Sequence, residues 1–170
     1  ACDDGNQSNT DACRTNCISA QCGDGLLRTD LAQDAEGYEA CDDGNETDSD
    51  ACRNNCSAAQ CGDGVRRVDL AEGAEGFEAC DDGNESDTDA CRTNCVSARC
   101  GDGLVRQDIA EGNDGYEACD DGNESNTDAC RSNCVAARCG DGIVRQDIAE
   151  GAEGFEACDD GNNSNADACR

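Results

Sequence analysis

At 170 residues the chain is long enough for an ordinary domain, yet Leu, Ile, Val and Phe together number only 17, too few to build a conventional apolar core. A formal charge of −28, with twelve Arg, no Lys and no His, excludes a nucleic-acid surface, because no basic patch is available to neutralise phosphates. Eighteen cysteines oppose the disorder that such a composition otherwise implies; cross-links must take the place of the core. Cysteine at this density points to an oxidising, extracellular or cell-surface compartment. No apolar run reaches membrane-spanning length.

The chain is a tandem repeat. Cys2, Cys41, Cys80, Cys119 and Cys158 are each 39 residues apart, and the cysteines follow C-x10-C-x3-C-x4-C-x18-C. This spacing divides the chain into repeats at 1–40, 41–79, 80–118 and 119–157, with a fifth begun at 158–170. Residues 80–118 and 119–157 differ at only 7 of 39 positions. Both ends of the sequence fall inside the same phrase, ACDDGN, which fits a longer array or copies joined end to end.

Within a unit, CDDGNESDTD (80–89) reads as a loop, since Asp, Gly, Asn and Ser dominate turns. TDACRTNCVSA (88–98) reads as a short helix capped by Thr88 or Asp89, with Cys91 and Cys95 one turn apart. CGDG (100–103) is a tight turn. LVRQDIA (104–110) alternates as a short strand, and EGYEAC returns as a second one that pairs with it. The aromatics Tyr38, Phe77, Tyr116 and Phe155 share one phase and read as plugs against the preceding strand. The expected fold class is therefore small disulfide-rich tandem repeats with little regular secondary structure. Each holds a short β-hairpin, a one-turn helix and a metal-binding loop, and the units stack as a solenoid-like rod.

Closely spaced hard oxygens inside a cysteine-bounded loop are what Ca2+ requires. The expected ligands are Asp3, Asp4, Asn6 and Asp11; Asp42, Asp43, Asn45 and Asp50; Asp81, Asp82, Asn84 and Asp89; Asp120, Asp121, Asn123 and Asp128; and Asp159, Asp160, Asn162 and Asp167. The CGDG aspartates Asp24, Asp63, Asp102 and Asp141 either complete each site or cap their own turns. Unit 80–118 has ten carboxylates against three Arg, so a bound cation would relieve repulsion between neighbouring units. The competing reading is that the same Asp and Asn residues make Asx-turns without a metal.

Asn6, Asn45, Asn84, Asn123 and Asn162 each begin an N-x-[ST] sequon, read either as a row of glycan sites or as turn residues and ligands. Recurrent Arg without Lys suggests forked pairing with carboxylates. Disulfide connectivity does not follow from sequence, and the preferred pairs are sequence neighbours. These are Cys2–Cys13, Cys17–Cys22, Cys41–Cys52, Cys56–Cys61, Cys80–Cys91, Cys95–Cys100, Cys119–Cys130, Cys134–Cys139 and Cys158–Cys169. A zinc–thiolate site is disfavoured by the absence of C-x2-C pairs and of His. Catalysis finds no foothold, since the usual bases and nucleophiles reduce to carboxylates that recur in every copy.

The pattern CGDG…CDDGN…DAC-x3-C resembles the Myxococcus-type cysteine-rich repeat, a family of secreted and surface modules of unknown function. The likeness covers all four copies. It departs in the long spacer (Leu104 to Ala118) and in Ala at 12, 51, 90, 129 and 168, where the family has Gly. The resemblance implies an extracellular, disulfide-bonded module and no activity. The expected function is structural: an extracellular rod, stalk or fibre held by disulfides and Ca2+ and built by self-association. The alternative is a Ca2+-dependent adhesin that contacts carbohydrate or a surface partner. No nucleic acid and no membrane span are expected.

Overall fold

The computed structural model describes residues 1–164, so Asp167 and the expected Cys158–Cys169 pair lie outside the described residues. These residues form almost no regular secondary structure; the extended pairings among them are isolated bridges between Cys13 and Ser19, Cys52 and Ala58, Cys91 and Ser97, and Cys130 and Ala136. No helix among the described residues is long and apolar enough to cross a membrane. The chain forms two compact units, Ala1–Glu85 with Thr93–Val96, and Ser86–Arg92 with Ser97–Arg170. Each is built from the same repeated pieces.

The segment expected to be a short helix is a tight reversal. Cys17 N–H donates to the Arg14 carbonyl at 2.8 Å and Arg14 N–H to the Ile18 carbonyl at 2.9 Å, just inside the Cys13–Ser19 bridge. A turn followed by a residue in left-handed backbone closes such a loop, and Cys17, Cys56, Cys95 and Cys134 supply it with φ of 61°, 59°, 55° and 56°. A helix cannot run through that conformation. The CxxxC spacing, which also suits one helical turn, instead sets a bridge residue beside the left-handed cysteine.

The expected strand pair is absent for a related reason. Where a partner strand would offer a carbonyl, the Glu39 carboxylate accepts the Arg28 N–H at 2.8 Å, and Glu78 and Glu117 do the same for Arg67 and Arg106. Between them the chain makes consecutive turns, as in Ala35 N–H to Ala32 and Tyr38 N–H to Ala35. The spacer is anchored instead to the acidic loop, through Thr29 N–H on the Thr10 carbonyl and Gln146 N–H on that of Thr127.

The disulfides are nested, not sequential. Cys2–Cys13, Cys41–Cys52 and Cys119–Cys130 close acidic loops at a separation of 11. Cys22–Cys56, Cys61–Cys95 and Cys100–Cys134 span 34 residues. The expected pairs Cys17–Cys22, Cys56–Cys61, Cys95–Cys100 and Cys134–Cys139 are therefore not formed, and Cys17 and Cys139 are exposed thiols. Cys80, Cys91 and Cys158 are also disulfide-bonded. The physical reason lies in the reversal: it carries Cys56 back over its own loop, away from Cys61 and onto the CGDG turn that precedes the loop. The covalent frame thus begins at CGDG. In one unit Cys22–Cys56 encloses Cys41–Cys52, and in the other Cys100–Cys134 encloses Cys119–Cys130.

Cysteines are also the buried apolar residues. Cys52, Cys56, Cys95 and Cys134 are 2–4% exposed, while Ile18 and Val68 stand 54% and 64% exposed. The sulfurs are the core, and the aliphatic side chains decorate it.

Loop-closure entropy ranks the two kinds of bridge: a 34-residue closure stabilises by about 3.8 kcal/mol and an 11-residue one by about 2.8. Replacing Cys100 and Cys134 with Ser is therefore expected to lower stability by roughly 1 kcal/mol more than replacing Cys119 and Cys130, measured by calorimetric melting of the two double variants.

Candidate functional site

The CDDGN loops that follow a CGDG turn are each organised by their first aspartate. Asp42 Oδ2 accepts the N–H groups of Gly23 and Asp24 at 3.0 and 3.2 Å, and Oδ1 those of Gly25 and Gly44 at 2.6 and 2.9 Å. Asp81, Asp120 and Asp159 repeat the arrangement with Gly62–Gly64, Gly101–Gly103 and Gly140–Gly142. Successive N–H groups with glycine in left-handed backbone form a concave anion nest, and here the anion is the protein's own carboxylate. The glycines are required twice over at Gly101. Its φ is +86°, and a Cβ would lie 2.8 Å from the Asn123 carbonyl oxygen.

This bonding moves charge in a definite direction. Burial alone would raise the Asp120 pKa, but N–H donors from Gly122, Gly103, Gly101 and Asp102 outweigh it and hold the group below its ordinary 3.8. Asp159 is likewise lowered, chiefly by the Gly161 N–H.

The remaining expected ligands are drawn into Asx-turns. Asp43 Oδ1 accepts Asn45 N–H, Asn45 Oδ1 accepts Thr47 N–H, and Asn45 Nδ2 donates to Asp50 Oδ2. Asp50 Oδ1 accepts Cys52 N–H. In the first loop Asp3 and Asp4 cap Gly5 and Asn6, and Asn6 holds Asp11, whose pKa it lowers. Asn123 and Asn162 accept from Ser125 and Ser164. Asp24, Asp63, Asp102 and Asp141 stand in the CGDG turns. They cap their own turns, accepting from Gln21 and Leu26 in the first case, and pair with Arg14, Arg53, Arg92 and Arg131. The structure therefore brings the predicted oxygens together but points many of them at N–H groups. Where carboxylate and cysteine groups do cluster, as at Glu39, Asp42 and Cys56, or at Asp81 with Cys61 and Cys95, the sulfurs are in disulfides and offer no thiolate. The sequon residues Asn6, Asn45, Asn84, Asn123 and Asn162 are all exposed.

The expected forked pairing is present on the spacer. Arg28 reaches both oxygens of Asp30 through Nε and Nη2, at 3.1 and 2.9 Å, and Arg67, Arg106 and Arg145 do the same to Asp69, Asp108 and Asp147. The hydrogen bonds raise each guanidinium pKa and lower each carboxyl pKa.

Sequence reasoning missed the glutamate before each ACDDGN. Glu39, Glu78 and Glu117 are 5%, 4% and 5% exposed, and each lines a cleft with the spacer arginine, the aromatic ring and a disulfide. The signal available was its phase: it is the carboxylate next to the aromatic in every copy.

No protein-family model matches the chain, and no curated protein and no solved structure matches it. The likeness to the cysteine-rich CGDG/CDDGN repeats thus rests on the motifs alone.

Two outcomes follow. Gly101→Ala is expected to cost roughly 2–3 kcal/mol of stability through left-handed strain and crowding, seen as a lowered melting temperature with unchanged disulfides. Because the native pKa values of Asp30, Asp69, Asp108, Asp120, Asp147 and Asp159 are depressed, their contribution is present above 3.8 and is lost as pH falls through the lower native values. Denaturant titrations of the oxidised protein should therefore show stability held from pH 7 to about 5 and falling below about 3.8.

Proposed function

We propose that the chain is a structural extracellular tandem-repeat protein, serving in a rod, stalk or fibre, with each unit locked by nested disulfides and an aspartate–amide nest. The single observation that carries this reading is the repeated 34-residue bridge from the CGDG cysteine to the left-handed cysteine. It ties the start of each motif to its end and leaves little chain to pay out under tension. Disulfides in this number suit an oxidising compartment. A cleft with reacting groups unique to one copy, which an enzyme would need, is not what supports this reading; the chemistry recurs with the repeat.

The nests close the acidic loops with N–H donors, so this reading needs no cation to hold the fold. Ca2+ takes the role of a counter-ion on the exposed Asp43, Asp82 and Asp121, easing the repulsion among forty acidic residues.

Single-molecule extension distinguishes the parts. The three long bridges withhold about 100 residues, roughly 340 Å at ~3.4 Å per residue. The oxidised chain should extend less than the reduced chain by about that length, with chelator making no difference. Equal extension before and after reduction, or lengthening on chelation alone, would overturn the reading.

A further inference from the structure

A cleft recurs in register in four copies; in the three whose glutamate is buried its volume is about 250, 220 and 200 Å³. Each of these three has the buried glutamate as its floor and one aromatic ring as its wall: Glu39 with Tyr38, Glu78 with Phe77, and Glu117 with Tyr116. The first two lie in one compact unit and the third in the other. In each, Oε2 is engaged by a backbone N–H, from Arg28, Arg67 or Arg106. Oε1 receives no hydrogen bond from the described residues. Oε1 is not among the buried oxygens that lack a partner, so it is open to a donor entering the cleft, and a charged donor makes the stronger hydrogen bond there.

We propose that these three clefts bind a primary ammonium group on an aliphatic stem, the chemistry of a lysine side chain presented by another protein. Charge and the ring face favour that ligand over a neutral hydroxyl. The vacant acceptor bears formal charge, and the net charge of −28 draws cations to the surface. The wall alternates Tyr and Phe, so its repeated element is the ring face, which suits an ammonium and its methylenes, and not the phenol oxygen. The cleft arginine acts on the glutamate through space but makes its forked hydrogen bonds to Asp30, Asp69 or Asp108, which leaves the Oε1 acceptor position open. These 170 residues contain no Lys, so the side chain comes from outside these repeats.

This inference goes beyond the structural role and stands on the clefts alone. The extension measurement does not bear on it, and its failure would leave the nested-disulfide reading intact. The test titrates the oxidised protein with Nα-acetyl-lysine N-methylamide while following the ring resonances of Tyr38, Phe77 and Tyr116. Saturable shifts of all three are expected, with binding at least about tenfold weaker for the neutral norleucine analogue, given the strength of charge-assisted hydrogen bonds. Glu78→Gln, which keeps an oxygen for the Arg67 N–H, should weaken the Phe77 response at least about tenfold and leave Tyr38 and Tyr116 unchanged. If that variant loses its disulfide map, Phe77→Leu decides: the carboxylate remains, and affinity at that cleft, read from the Arg67 backbone amide that donates to Glu78, should fall about two- to fivefold. The proposal is overturned by the absence of saturable ring shifts, by equal binding of the norleucine analogue, or by shifts confined to the exposed Asp43 and Asp82 amides. An unchanged Phe77 response in a correctly folded Glu78→Gln, or an unchanged affinity in Phe77→Leu, overturns it as well.

Discussion

A carboxylate held by four backbone N–H groups is the interaction on which the rest depends. Asp42, and Asp81, Asp120 and Asp159 in phase with it, gather the amides of a CGDG turn and of their own loop around one charge. Making that nest demands positive φ at the turn glycines, as at Gly23 and Gly25. It also demands close approach of two backbones: the Gly44 Cβ position lies 3.1 Å from the Gly25 Cα. Once the turn is drawn onto the loop, its cysteine stands beside the left-handed cysteine of the reversal, and the long disulfide closes across them.

The fold solves a composition problem. With few bulky apolar residues, burial cannot offset chain entropy in the usual way. Disulfides reduce the entropy of the unfolded chain instead, and the buried volume they need is small enough for sulfur alone to fill. Negative charge is the accompanying cost, and it is handled locally. Nests and Asx-turns supply N–H donors to the loop carboxylates, while forked arginines take those on the spacer. Charge-assisted hydrogen bonds of this kind are individually stronger than neutral ones, although the exposed forks contribute little each.

Particular residues show where sequence reading reached and where it stopped. The Asx-turn chemistry of Asp43 and Asn45 was legible as one of two readings, because Asp, Gly and Asn in sequence suit a turn as well as a cation loop. The forked arginines were legible from the choice of Arg over Lys. The helix over 88–98 was misread, since a cysteine pair four apart suits one helical turn as well as a reversal, and only φ at Cys95 separates them. The strand pair around the spacer was misread because Glu78, not a second strand, takes the Arg67 N–H. Glu39, Glu78 and Glu117 were overlooked among forty acidic residues; nothing in their identity announces burial.

The sequence by itself determined the 39-residue period, the disulfide-dependent character and the loop-forming stretches, because these follow from composition and local conformational preference. Tertiary structure alone decided which cysteines meet, which carboxylates face amides, and which glutamates lie at the base of a cleft. Those outcomes depend on where a reversal of a few residues carries the chain, and distances through space are not encoded in spacing along it.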